Sequence, residues 1–246
     1  MPEPGTEKPD AKCWMGMHDG SPCGREPHDD KGLCICHSKD PDKDDDAFQS
    51  KIDAMLGHKE YDFTGFVFPR RFDSFENKTF EGALSLDLAT FNDGASFERA
   101  TFRGPASFRH TRFASDAHFS EATFEGPTSF QRAHFERNTY FHGTTFEDEA
   151  LFIGYEDKRE DNRVFSREAV TDFRFARWHQ PDRITFQHVF LGRARFLHCD
   201  VRQVDFTDAE WAPRGRHNAV WDEMEPRGPA KSYPLIGKLY RQLKHN

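Results

Sequence analysis

No run of apolar residues in this 246-residue chain is long enough to cross a bilayer, and its opening, "MPEPGTEKPD", lacks the basic and apolar segments of an export signal. These absences lead us to expect a soluble, cytoplasmic protein with no membrane segment. Also missing are a glycine-rich phosphate loop, a G-x-S-x-G elbow and an H-E-x-x-H helix, so no motif argues for an enzyme. Apolar residues are scarce at 36%, charged residues reach 31%, and mean hydropathy is -0.86. Taken as averages, those values describe a chain that cannot bury enough surface to offset its ordering entropy. They mislead, because 26 phenylalanines concentrate the apolar content in one large side chain.

Five cysteines, an odd number without an export signal, argue for reduced thiols over a disulfide framework. Four of them lie within residues 13–36. The net charge of -8 is unevenly spread: residues 1–62 carry 15 acidic against 8 basic side chains, and residues 153–246 carry 14 against 17. Neither end has the basic footprint of a nucleic-acid binder, and no direct nucleic-acid binding is expected.

The aromatic positions carry the main signal. Phe80, Leu86, Phe91, Phe97, Phe102, Phe108, Phe113, Phe119, Phe124, Phe130, Phe135, Phe141, Phe146 and Phe152 are spaced six, five, six, five without a break. Two positions before each one from Phe91 onward stands Ala or Thr, from Ala89 and Ala95 to Thr144 and Ala150. Residues i and i-2 of a strand point the same way, so a large and a small side chain fill one side of a narrow interior together. The Gly104-Pro105 pair recurs as Gly126-Pro127, and Gly94, Asp116 and Asn138 share one phase. Both separations are 22 residues, which makes one turn of a solenoid two eleven-residue units. The column Gly94, Asp116 and Asn138 suggests a left-handed corner. Stacked at a strand spacing of roughly 4.8 Å, such coils would align Phe91, Phe113 and Phe135, and expose a ladder of Thr101, Thr123 and Thr145.

A large central residue with a small one two before it resembles the pentapeptide-repeat family, here in a variant alternating five- and six-residue units, as in "ATFRGPASFRH". The resemblance implies a right-handed, quadrilateral parallel β-helix. It covers residues 80–152 and returns in pure five-residue form in "VFLGRARFLHCDVRQVDFTDAEW", with centres Leu191, Phe196, Val201, Phe206 and Trp211. Cys199 falls on a small inward position there and reads as core. Residues 153–185 break the period: "GYEDKREDNRVFSREAV" is too polar to continue the core and is expected to bulge out as a loop or short helix, after which Phe173 and Phe175 lead the chain back.

A solenoid exposes apolar ends and needs caps. Phe48, Ile52, Met55 and Leu56 form a helical stripe, with Asp44, Asp45 and Asp46 against the positive end of the helix dipole. At the far end, Leu235, Leu239 and Leu243 predict a second amphipathic helix, over the last coil or against a partner chain as a homodimer contact. That segment resembles the "YRQLK"-like helix that follows the repeats in larger bacterial relatives, some of them membrane-anchored, and the resemblance implies a further alternative, a soluble fragment of a larger membrane-anchored pentapeptide-repeat protein. The division is therefore a disordered tail over 1–12, a Cys/His module over 13–40, a linker and capping helix over 41–62, the β-helix over 63–211, and a loop and helix over 212–246.

The one stretch with chemistry in it, "CWMGMHDGSPCGREPHDDKGLCICH", supplies zinc's preferred ligands, thiolate and imidazole, with glycines and Pro22 to turn the chain. The ligand set read from it is Cys13, Cys23, Cys34 and His37, with Cys36 as an alternative ligand. It resembles the short Cys/His head that precedes the repeats in some family members, where a "CxxHS" stretch leads into a charged linker and a helix. Four protein ligands leave no open position, so such a zinc would be structural.

All-β solenoid, helical caps and a Cys/His head together point to a non-catalytic scaffold for an unidentified protein partner. The family offers an alternative, imitation of DNA to modulate or inhibit DNA gyrase, which needs a continuous acidic face. Arg103 in phase with Glu125 and Glu147 argues against one.

Overall fold

The computed structural model describes residues 12–156, 164–214, 217–219, 221–224 and 239–241. The expected tail lies outside them except for Lys12, and so does most of the expected C-terminal helix. Among the described residues, no helix is long and apolar enough to cross a membrane.

Four parallel sheets form the walls of a β-solenoid, built mostly of two-residue strands that recur once per turn. One wall runs Thr79–Phe80, Thr101–Phe102, Thr123–Phe124, Thr145–Phe146, Arg177–Trp178. Thr101 pairs with Thr123 and Thr123 with Thr145, so a regular turn takes 22 residues and the threonine ladder stands on one outer face. The repeat phenylalanines from Phe80 to Phe152 are fully buried in four columns. Successive rings lie nearly parallel, Phe91 on Phe113 at 5.0 Å, Phe102 on Phe124 at 4.5 Å, Phe97 on Phe119 at 4.7 Å and Phe108 on Phe130 at 4.7 Å. Rings of neighbouring columns meet edge to face, the arrangement their quadrupoles favour. The small partners are buried too, and threonines among them satisfy their hydroxyls on backbone carbonyls, Thr111 on Leu86 at 2.8 Å and Thr144 on Phe119 at 2.7 Å.

The corners differ from the expectation. Positive φ falls two residues after a central side chain, at Asn77, Arg99 and Glu121 in one column and Leu88, His110 and Arg132 in another, and not at Gly94, Asp116 or Asn138. Two of that third column's residues are short and polar for a different reason: the Asp116 carboxylate accepts from Asn138 N and the Asn138 side-chain amide oxygen from Val170 N, each tying one coil to the next. The Gly82, Gly104 and Gly126 column reflects close approach. A Cβ on Gly104 would lie 2.6 Å from the carbonyl carbon of Gly82, and one on Gly126 2.7 Å from that of Gly104.

The interruption is also shorter than the sequence suggests. Phe165 bridges to Phe135 and stacks on it at 5.6 Å, while Thr171–Asp172, Arg177–Trp178 and Ile184–Gln187 continue three of the walls. Thr139 pairs with Thr171, so this turn is longer by ten residues, and Val164, Phe165, Phe173 and Trp178 still find inward sites. Residues 157–163 of the interruption lie outside the described residues. Phe175 stays on the surface, stacked on His198 at 4.3 Å. Cys199 is a core residue, its thiol donating to the Phe173 carbonyl.

Both ends are covered. Helix α1, Asp45–Gly57, starts at Asp44, whose side chain accepts from Ala47 N, and buries Phe48, Ile52 and Met55 over the first coil. Phe48 meets Phe68 edge-on at 5.4 Å. At the far end a short helix, α2, Trp221–Met224, lies against Ala194–Arg195, and Leu239 is buried in the same core. Asp222 accepts from Phe196 N at 2.8 Å, taking the place of the carbonyl a further coil would present.

Candidate metal centre

The head is built from a ribbon and a turn. Residues 13–25 fold back on themselves, with Cys13 N donating to Arg25 O at 2.8 Å and Cys23 N to Met15 O at 2.7 Å. This brings Cys13 beside Cys23 across a ten-residue step. The turn is C-x2-H: His37 N and Ser38 N both donate to Cys34 O, at 3.0 and 2.8 Å. Asp29 pins the connection, its carboxylate accepting from Lys31 N, Leu33 N and the Ser38 hydroxyl. The Ser38 bond holds its carboxyl below the ordinary range.

The ribbon and turn gather the ligand atoms of Cys13, Cys23, Cys34 and His37 to within 4.8 Å of one another. His37 Nδ1 lies 3.3 Å from Cys13 Sγ and 3.2 Å from Cys34 Sγ, and Cys23 Sγ lies 3.8 Å from Cys34 Sγ. A tetrahedral ion with sulfur at about 2.3 Å and nitrogen at about 2.0–2.1 Å requires S···S edges of about 3.8 Å and S···N edges of about 3.5 Å. The donor set therefore fits a tetrahedral ion in type and in spacing. The second ring nitrogen of His37 faces the Thr64 carbonyl at 2.9 Å. That carbonyl can take only a donor, so it selects the tautomer with the proton on Nε2 and leaves the Nδ1 lone pair for a metal.

Cys36 is fully buried and lies outside this set. His18 and His28 lie outside it as well; His18 stands exposed, 3.4 Å from Asp87. Burial pushes the Cys13 thiol up to about 11. Cys34 is raised by its bond with Cys36 and by burial, and the same bond lowers Cys36. Metal binding here must displace protons. All five cysteines are free thiols.

Two cations without a signal in the sequence spacing complete the site. Arg25 Nη1 lies 3.1 Å from Cys23 Sγ. Burial works against its charge, but the bond to Cys23 and the neighbouring thiols outweigh it and raise its pKa. Lys43 donates to the carbonyls of Ile35, Ser38 and Val67, and burial brings its pKa down to about 8. Val67 N also donates to Cys36 O. The head is thus bonded directly to the first coil.

Fold and site together define a parallel β-solenoid whose first turn is closed by a Cys3His cluster. Residues 75–123 and 110–154 match the family model described as pentapeptide repeats (9 copies), so the coils over residues 75–154 are pentapeptide repeats. No curated protein and no solved structure matches the chain.

Proposed function

We propose that this protein is a non-catalytic binding scaffold, a β-helical rod in a reducing compartment that presents its outer faces to a protein partner and carries a structural zinc ion at Cys13, Cys23, Cys34 and His37. The observation that carries the scaffold reading is the uninterrupted column packing, in which the inward positions are occupied by stacked rings and leave the outward columns as the surface available for recognition. Between α1 and the first coil lies a hollow of about 370 Å³, bordered by Asp53, Tyr61, Lys78 and Thr79 and without a nucleophile and base in contact. Zinc is favoured by three thiols, one imidazole and their tetrahedral spacing. When bound it would cross-link ribbon and turn. With four protein ligands there is no position for a substrate.

Imitation of DNA finds less support. Arg103 is bonded to Glu81 at 2.7 Å and stands in phase with Glu125, so that outward column mixes signs.

Capture by the full-length chain tests the scaffold. A stoichiometric partner should be retained, retention should fall when charges are reversed along one outward column and persist when they are reversed along another, and gyrase supercoiling should be unaffected by excess protein. Equal retention by every column variant, or inhibition of supercoiling, would contradict the reading.

A further inference from the structure

The metal reading leaves a charge to be balanced. Three thiolates and a neutral imidazole around a divalent ion carry one net negative charge. Cys13, Cys34 and His37 are buried, and a buried charge without a partner costs several kcal/mol, as a rough figure.

Arg25 occupies the place of that partner. Its Nη1 contacts Cys23 Sγ, and the guanidinium is held on its other sides by apolar and sulfur groups: Met17 Sδ at 3.9 Å, Met55 Sδ at 3.6 Å and the Phe66 ring at 5.3 Å. Among the described residues it has no carboxylate partner. A half-buried arginine wedged between two thioethers and a phenylalanine, with a thiol for its closest contact, lacks the compensation that a partly desolvated cation requires. A thiolate-rich metal centre supplies it. Lys43, the other cation near the head, is already committed: its ammonium gives three hydrogen bonds to carbonyls and sits 4.4 Å over the Phe48 ring.

We propose that Arg25 is the counter-ion of the metal centre, neutralising the filled site through Cys23, and that its contacts with Met55 of α1 and Phe66 of the first coil couple metal loading to the order of the N-terminal cap. The proposal rests on the metal reading above. Arg25 supports the ligand set without being a ligand. His37 provides a second connection through Thr64, so the site touches the first coil from two sides.

The test uses the full chain, zinc competition against a chromophoric chelator, and cobalt(II) as a spectroscopic substitute. R25M removes the charge while keeping an unbranched apolar stem; R25K keeps the charge. R25M should weaken zinc about 10- to 100-fold, the range typical of residues that support ligands from outside. It should keep the tetrahedral cobalt spectrum at saturation, which separates loss of a counter-ion from loss of the ligand set. R25K should recover most of the affinity. In the wild type, removing zinc should speed amide exchange in α1 and at residues 66–68, leaving residues 119–130 unchanged. A wild type that binds no zinc overturns the metal reading itself. Zinc binding of unchanged strength in R25M, loss of its tetrahedral cobalt spectrum, failure of R25K to recover affinity, or unchanged exchange on zinc removal overturns the role assigned to Arg25 while leaving the metal centre in place.

Discussion

Two glycines that look alike in the sequence should respond oppositely to the same substitution. Gly94 and Gly104 both stand at corners, and neither has the positive φ that would forbid alanine. Replacing glycine where the backbone tolerates a side chain stabilises by about 0.4–1 kcal/mol, because the unfolded chain has fewer conformations to lose. At Gly94 a Cβ would meet Asp116 O at 3.6 Å and the Arg71 side chain at 3.7 Å, ordinary contact distances, so that gain should appear. At Gly104 a Cβ would meet three backbone atoms of the coil below, Gly82 C at 2.6 Å and Gly82 O and Ala83 N at 2.8 Å. Backbone in a hydrogen-bonded stack cannot yield as a side-chain tip can. Leu84 N of that coil is bonded to Pro105 O, so separating the two coils strains a ladder bond as well. Overpacking of this kind costs about 1–3 kcal/mol, which outweighs the unfolded-state gain. Urea unfolding followed by circular dichroism should place Gly104→Ala about 1–3 kcal/mol below wild type and Gly94→Ala slightly above it. Equal midpoints for the two variants would refute the close-approach account of the Gly-Pro column.

At the other end, stability should depend on pH through Asp222. Burial, with Asp172 nearby, raises its pKa to about 6 from the ordinary 3.8, although Phe196 N and the Arg174 charge oppose the rise. A carboxyl whose folded pKa lies above its unfolded one contributes stability that is complete below about pH 4 and lost as pH rises through about 6. The difference amounts to at most about 3 kcal/mol of docking for α2. Amide exchange at Phe196 should therefore become more protected on acidification from pH 7 to 5, and Asp222→Asn, which keeps an acceptor for Phe196 N, should abolish the dependence. A wild-type profile flat over that range would count against the burial of this carboxyl.

The core was legible because it is periodic. An unbroken alternation of five and six, with Ala or Thr two before each centre, specifies inward pairs and a 22-residue turn, and the ladder Thr101, Thr123, Thr145 follows from it. Corners were less legible. Leu88, Arg99, Glu121 and Arg132 adopt positive φ without being residue types that favour it, because the stack fixes their backbone whatever the side chain. The segment after Phe152 misled by composition: polar spacing hid Val164 and Phe165, which reach the interior over a lengthened turn. In the head, residue chemistry indicated Cys13, Cys23, Cys34 and His37, and the structure gathers those four. What spacing could not reveal were the fold-back that makes a ten-residue step compact, the Thr64 carbonyl that orients His37, and Arg25. The fold-back depends on hydrogen bonds within residues 13–25, and the other two on contacts of the head with α1 and the first coil; none of these has a period.

The central claim is that a repeat rod is closed at its N-terminal end by a metal-bearing cluster. Native mass spectrometry of the intact chain, before and after a chelator, tests it most directly. The account predicts one zinc ion per chain, lost on chelation. A chain that carries no metal as purified under reducing conditions and takes up none when zinc is supplied would contradict it.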